Sequence, residues 1–409
     1  PFEKTINSKN VTLETAIANI DIGGPSMIRS AAKNYQSVGV VVNPERYHTI
    51  VEELKNNEGK LSKETKESLA CEAFSHTARY DGIISSYLEK TLMSKKGLPE
   101  FISPNLQKVS DLRYGENPHQ SAAFYKLTET KGLPNLKQHQ GKELSYNNIV
   151  DIEAAWKIVK SFDLPCASVI KHTNPCGAAI GEDITEAYKK AFECDPKSAF
   201  GSIVGLNRSV TKKTAEELKK TFIEVIVAPS FDDEALSILS KKSSLRLISL
   251  DDFFNNDPSF EIKNIDGGCL VQTTDTFKVD MNNLKAVTEK KPTAKELIDL
   301  AFVFTLVKYV KSNAIVIVND GRAVGVGAGQ MSRVDAMEIA LAKAGDLAKG
   351  AVVGSDAFFP FSDSLALAAK HGVKAVIQPG GSKRDQESID CCNENDMTMV
   401  FTGIRHFKH

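Results

Sequence analysis

From about Pro104 onward, short apolar runs alternate with amphipathic stretches. The runs Ala167 to Ile170, Ser202 to Leu206, Glu224 to Ala228 and Leu245 to Leu250 have the length of buried strands. So do Ala314 to Val318, Ala351 to Val353, Lys374 to Ile377 and Met397 to Phe401. Apolar positions at helical spacing between them predict helices at about 151–161, 184–194, 211–222, 293–311, 333–345 and 362–371. Thr293 with Glu296 three residues on is a capping-box signature. The alternation predicts α/β layers around mainly parallel sheets.

The front of the chain reads differently. Thr12 to Lys33 predicts helix, turn, helix, with Gly23-Gly24 as the break and Pro25 in the first turn of the second helix. Val40 to Val42 predicts a buried strand, and Asn43-Pro44-Glu45 caps a following helix. Ser62 to about Leu92 predicts a long helix with Ala70, Ala73, Phe74, Ile83 and Ile84 on its apolar side. Pro1 to Thr5 reads as the exit of a strand, and Lys95 to Pro99 as a linker. The expected division is therefore residues 1–100 and 101–409.

Composition narrows the function. A formal charge of −1 over 409 residues gives no electrostatic case for nucleic acid or a membrane surface. Any anion must be met by local placement of Lys, Arg and backbone N–H groups. Seven scattered cysteines with no CxxC fit reduced thiols in a cytoplasmic protein. No apolar run approaches the roughly 18 residues of a membrane span.

The densest chemistry lies in Lys171-His172-Thr173-Asn174-Pro175-Cys176-Gly177, directly after a strand. A cation and an imidazole at a strand end stand where α/β sheets open ligand crevices. The pair reads either as a satisfied His beside a solvated Lys, or as a base with an ammonium to tune it or hold negative charge. Asn-Pro and Gly177 are expected to break the strand. Asn313, at the end of the capped helix, suits a helix C-cap or an amide donor. Gly325 to Arg333 (GVGAGQMSR) is Gly-rich without the GxGxxG spacing, so its glycines suit a tight turn or close approach to a ligand. Arg333 at a helix start calls for an anion. Arg113-Tyr114 suits phosphate and base contacts. Gln378 to Ser382 is a candidate anion nest. A zinc deaminase signature is absent, because Pro175-Cys176 has no second Cys in register, so no metal site is expected.

These motifs, with Leu112 to Gln120, Lys311-Ser312-Asn313, Ser355 to Phe361 (SDAFFPF) and the tail Arg405 to His409, resemble the bifunctional purine biosynthesis family that joins AICAR transformylase to IMP cyclohydrolase. The resemblance implies formyl transfer from 10-formyltetrahydrofolate to the 5-amino group of AICAR. It implies Lys171, His172 and Asn313 as catalytic residues. Arg113, Tyr114, Asn148, Gly201, Glu224, Phe358 and Arg405 correspond to AICAR contacts, and Arg333, Asp363 and His409 to the folate side. It also implies two cytidine-deaminase-like α/β/α subdomains, preceded by part of a methylglyoxal-synthase-like α/β domain that keeps Asp21 and Lys33 as cyclohydrolase residues. The phosphate loops of that domain do not appear before Pro1, so ring closure is expected to be lost or incomplete. A homodimer and possibly a monovalent cation, but no zinc, follow from the same resemblance. Two rivals stand beside it: an inactive nucleotide-binding or assembly module, and a zinc-free hydrolase of deaminase-like fold.

Overall fold

In the computed structural model, residues 1–93, 97–127, 132–250, 260–278, 280 and 284–409 are described. The linker residues Lys95 and Lys96 lie outside them. Contacts divide the chain into one unit of residues 1–108 with 125–130, and a second of 109–124 with 131–409.

The first unit is built on helices α1 (Phe2–Ile6), α2 (Leu13–Ala18), α3 (Gly23–Lys33), α4 (Tyr47–Asn56) and α5 (Lys63–Leu92). The long helix begins where expected, on a Ser62 side chain that accepts the Thr65 N–H. The expected strand exit at Pro1 to Thr5 is instead α1, because Phe2 is buried edge-on against Tyr80 and Tyr87 of α5. Val40 to Val42 is extended but forms no strand. Val40 and Val42 pack against Ala70 and Ala73 of α5, so helix packing, with no ladder, covers them. Gly23 and Gly24 open α3 rather than interrupt a helix.

Strands β1 (Leu106–Leu112) and β2 (Ala122–Leu127) form a two-stranded sheet. The second unit then runs through β3 (Lys137–Gln140), α6 (Tyr146–Val159), β4 (Cys166–Lys171), β5 (Asn174–Ile180), α7 (Ile184–Phe192), β6 (Ser202–Leu206), α8 (Lys212–Leu218), β7 (Ile223–Ala228), α9 (Asp233–Leu239) and β8 (Arg246–Ser249). An exposed antiparallel pair follows, β9 (Phe260–Ile265) and β10 (Gly268–Thr273). The chain ends with β11 (Lys285–Ala286), α10 (Ala294–Val307), β12 (Ile315–Asn319), β13 (Arg322–Gly327), α11 (Arg333–Ala344), β14 (Val352–Ser355), α12 (Asp363–Lys370), β15 (Ala375–Gln378), α13 (Asp385–Glu394) and β16 (Thr398–Phe401).

Twelve of these strands make one sheet, ordered β11-β16-β15-β14-β12-β13-β5-β4-β6-β7-β8-β3. Read outward from the β13–β5 seam, the two sides match strand for strand, and the helices between them match as well. Residues 137–249 and 285–401 are thus two halves of one pattern. The sheet is mixed: β6-β7-β8 and β14-β15-β16 are parallel, while the other neighbours are antiparallel. The expectation of mainly parallel strands fails because β4/β5 and β12/β13 are tight hairpins, which need no crossover.

Side chains alternate as a doubly covered sheet requires. Val225 and Val227 join the core under α6 and α10, whereas Ile226 and Ala228 join the core under α7, α8 and α9. A third cluster fills the space beneath α11 and α12. Pro175 and Gly177 were expected to end the strand, yet both sit inside β5. A register shift opposite Val169 and Ile170 absorbs the proline at a bulge. Gly177 lets α7 approach, since a Cβ there would stand 1.9 Å from the Ala191 carbonyl oxygen.

Candidate active site

β4 and β5 are joined by His172 and Thr173, whose φ angles are +50° and +65°. Paired positive φ values mark the hairpin turn that Asn-Gly normally makes. Here neither residue is glycine and Thr173 is β-branched, at a cost on the order of 1–3 kcal/mol each. The surroundings hold the turn. Asp151 on α6 accepts the Thr173 N–H at 2.6 Å. The Asn174 amide donates to the His172 carbonyl at 3.2 Å and accepts the Lys311 N–H at 3.1 Å. The His172 side chain is left exposed. Burial raises the Asp151 pKa above the ordinary carboxyl value, while the Thr173 and His172 backbone and the nearby charges of His172 and Lys171 pull it back.

The Lys171 ammonium donates to the carbonyls of Gly201 (2.8 Å) and Phe200 (3.2 Å), so neutral groups orient it and leave its charge available. Gly201 is left-handed, with φ +67°, and a Cβ there would come within 3.3 Å of that ammonium nitrogen. Asn148 closes a capping box with Ser145 at the start of α6 and donates to Glu224 at 3.3 Å. One position along, Asn147 donates to the Glu116 carbonyl, which ties the 113–120 loop to the same helix start. In that loop the Arg113 guanidinium lies 4.8 Å from the Tyr114 ring and donates to its hydroxyl.

The second half contributes Asn313. Its amide donates to the Gln330 and Met331 carbonyls (2.9 and 3.1 Å), and its oxygen accepts from Arg333 at 2.9 Å. Arg333 was expected to await a substrate anion. Instead it is 8 % exposed and paired with Asp356, which is fully buried, and with Ser355. The anion at this helix start is the protein's own carboxylate, and Arg333 orients Asn313. Ser312 donates to the other oxygen of Asp356. Gly325 and Gly327 are strand residues of β13, not a ligand loop, since a Cβ on either would stand within 2.0 Å of an α11 carbonyl oxygen.

The tail is tied down. His406 is buried between Phe304 and Phe277 and meets Asp275 at 2.5 Å. Burial opposes ionisation of Asp275, but the His406 bond and charge bring its pKa below the ordinary value. Lys408 accepts the Ser312 N–H at 2.9 Å, so the tail braces the residue before Asn313. Arg405, stacked 4.3 Å from Phe407, and His409 are both exposed. Phe358 is 38 % exposed while Phe359 is buried. Asp363 caps its own helix at Ser364 and is otherwise open to solvent.

Lys171, His172, Asn148, Gly201 and Glu224 therefore gather at one end of the sheet. Asn174 links them to the Lys311 backbone, two residues before Asn313. Contacts in the structure do not draw Asp363, Arg405 and His409 into that group. In the first unit, the Asp21 carboxylate accepts the Gly24 N–H at 3.1 Å, the Asp21 backbone N–H donates to the Tyr80 hydroxyl, and Lys33 is exposed at the end of α3. The Gln378 to Ser382 nest is filled internally, because the Gly381 N–H donates to Asp385. Cys176, near the turn, has its thiol pushed up to about 12 by burial, so it offers no thiolate. Sequence reasoning missed Asp151, Asn174, Asp356 and the Asp275–His406 pair. A faint signal existed for Asp151, three residues after Asn148 on one helix face.

Together the fold and site set an exposed imidazole and an ammonium at one end of a mixed α/β sheet, the furnishing of an enzyme. The family model described as the AICARFT/IMPCHase bienzyme matches residues 31–343. The bifunctional purine biosynthesis protein PurH of Thermoanaerobacter sp. (strain X514) is 51% identical over 412 residues, covering 100% of this chain and 80% of that protein. Those of Acetivibrio thermocellus and Anoxybacillus flavithermus are 49% and 50% identical, with the same coverage. The chain belongs to the AICARFT/IMPCHase bienzyme family.

Proposed function

We propose that His172, Lys171 and Asn313 carry the formyl transfer of this chain, which is an AICAR formyltransferase of purine biosynthesis with 10-formyltetrahydrofolate as co-substrate. The 5-amino group of AICAR, conjugated with a carboxamide, is a weak nucleophile and needs a base. His172, directly or through the carboxamide, takes its proton as nitrogen attacks the formyl carbon. Lys171 steadies the negative charge on the formyl oxygen, and the Asn313 amide orients the reacting groups. The bond from the formyl carbon to the folate nitrogen then breaks, and that nitrogen leaves with a proton as tetrahydrofolate. The observation that carries this assignment is the exposed His172 on a held turn, beside an ammonium resting on neutral carbonyls.

We assign Arg113, Tyr114, Asn148, Gly201, Glu224, Phe358 and Arg405 to AICAR, and Asp363 and His409 to the folate side. Arg333 acts there through Asn313. The two halves of the sheet correspond to cytidine-deaminase-like subdomains, and the first unit, with Asp21 and Lys33, to the cyclohydrolase side. IMP cyclohydrolase is the family's second activity. Conversion of formyl-AICAR to IMP by the chain is the assay for that activity. Exposed Phe200, Met331, Phe358 and Phe361 near the site residues support a homodimer that covers them. Among the described residues no group of three or more His, Cys, Asp and Glu is placed to hold a metal ion. Among the described residues no helix is long and apolar enough to cross a membrane, and a cytoplasmic location suits the substrates.

The test is His172→Ala, assayed by absorbance for tetrahydrofolate release with and without AICAR. Turnover should fall by about 10² to 10⁴, the usual contribution of a general base, with AICAR binding nearly intact. Full turnover in that variant, or loss of binding with normal turnover per bound substrate, would remove His172 from the role.

A further inference from the structure

We propose that Asp151 is a positioning residue for the transfer: by holding the backbone of the 172–173 turn it fixes where the His172 imidazole stands. The proposal rests on the assignment of His172 as base. Its 2.6 Å bond to the Thr173 N–H is short and charge-assisted. The turn has little else of its own to stabilise it, since both residues are left-handed non-glycines and the Thr173 hydroxyl is buried without a hydrogen-bond partner.

The other half of the sheet supplies an internal control. There the turn between β12 and β13 is Asp320-Gly321, again left-handed at both positions, with φ +56° and +69°. Asp299 accepts the N–H groups of Asp320 (3.1 Å) and Gly321 (2.8 Å). Asp151 and Asp299 are each the sixth residue of the helix preceding their hairpin. The same device thus holds both turns, but only the first turn presents an imidazole. Losing the device should disturb folding at either place and chemistry at one.

Asp151→Ala, Asp151→Asn and Asp299→Ala are compared in the full-length protein, with AICAR-binding stoichiometry counting folded sites. Asp151→Ala should lower kcat about a hundredfold, the effect of misplacing a reacting group by about 1 Å. The AICAR dissociation constant should stay within about threefold, as expected when transition-state contacts alone are lost. Asp151→Asn, which keeps an oxygen acceptor for Thr173, should retain kcat within about tenfold. Asp299→Ala should lower thermal stability and leave kcat per folded site unchanged. The proposal is overturned if Asp151→Ala keeps wild-type kcat, if kcat and AICAR affinity fall together, or if Asp299→Ala loses kcat to the same extent. With His172→Ala inactive, a fully active Asp151→Ala removes this proposal alone. An active His172→Ala removes the base assignment beneath it.

Discussion

The two halves of the sheet share one scaffold and differ at a few buried positions, and those positions give its two ends different charge. The β13–β5 pairing is antiparallel, so the two hairpin turns fall at opposite ends of the sheet. At the end bearing the Asp320-Gly321 turn, the residue following β6 is Asn207, buried and neutral. It takes the Cys166 N–H and donates to the carbonyls of Val159, Phe162 and Leu164. Asp320 is flanked by Lys190 and Lys295, and the Lys190 charge first of all holds its pKa below the ordinary value. That end is sealed. At the other end the residue following β14 is Asp356, a buried charge, and α11 opens with Arg333 where α7 opens with Ile184. A buried ion pair replaces a ring of backbone bonds, and its Arg333 also donates to the Asn313 side-chain oxygen. The fold supplies two equivalent places, and charge placement distinguishes the one proposed above as the site.

Breaking the charged end should have the largest effect. Asp356→Asn leaves Arg333 buried without its counter-charge and should cost about 3–5 kcal/mol, read as a lower denaturant midpoint, with turnover falling as Asn313 loses its orientation. Next comes Asn207→Ala, which strips partners from several buried backbone groups at about 2–3 kcal/mol. Turnover per folded molecule should be unchanged; a large loss would show that the sealed end also acts in catalysis. Gly177→Ala and Gly325→Ala force a methyl into helix carbonyls at matching places, and each should destabilise by about 1–3 kcal/mol. Unequal costs would show that the halves pack less alike than their topology. The smallest effect concerns the tail. Burial lowers the Lys408 ammonium from 10.5 to about 8. Between those values the unfolded chain holds the proton and the folded one does not, so stability rises with pH across the window. Lys408→Met should therefore gain melting temperature over the wild type at about pH 7, and that advantage should shrink by about pH 10.

The strands with unbroken apolar runs were legible from sequence. β6 falls on Ser202 to Leu206 as expected, and the other buried runs match within a residue or two. Their hairpin partners β5 and β13 were not, because Pro175, Gly177, Gly325 and Gly327 read as punctuation. They are in fact places where a bulge or an approaching helix tolerates no larger residue. The duplication was invisible since it survives in element order and not in residue identity. At the site, sequence could point to Lys171, His172 and Asn313 because each stands at a strand boundary. It could not show what Arg333 pairs with, or that Asp151 and Asn174 hold the turn, since those partners lie on other elements. A basic residue at a helix start carries no label for the carboxylate that meets it.

Asn174 reaches from the His172 carbonyl in one half to the Lys311 backbone in the other. A single copy of the repeated pattern would keep the turn or the segment that Asn174 ties it to, but not both. The proposed assignment of formyl transfer therefore depends on the two halves standing joined in one sheet.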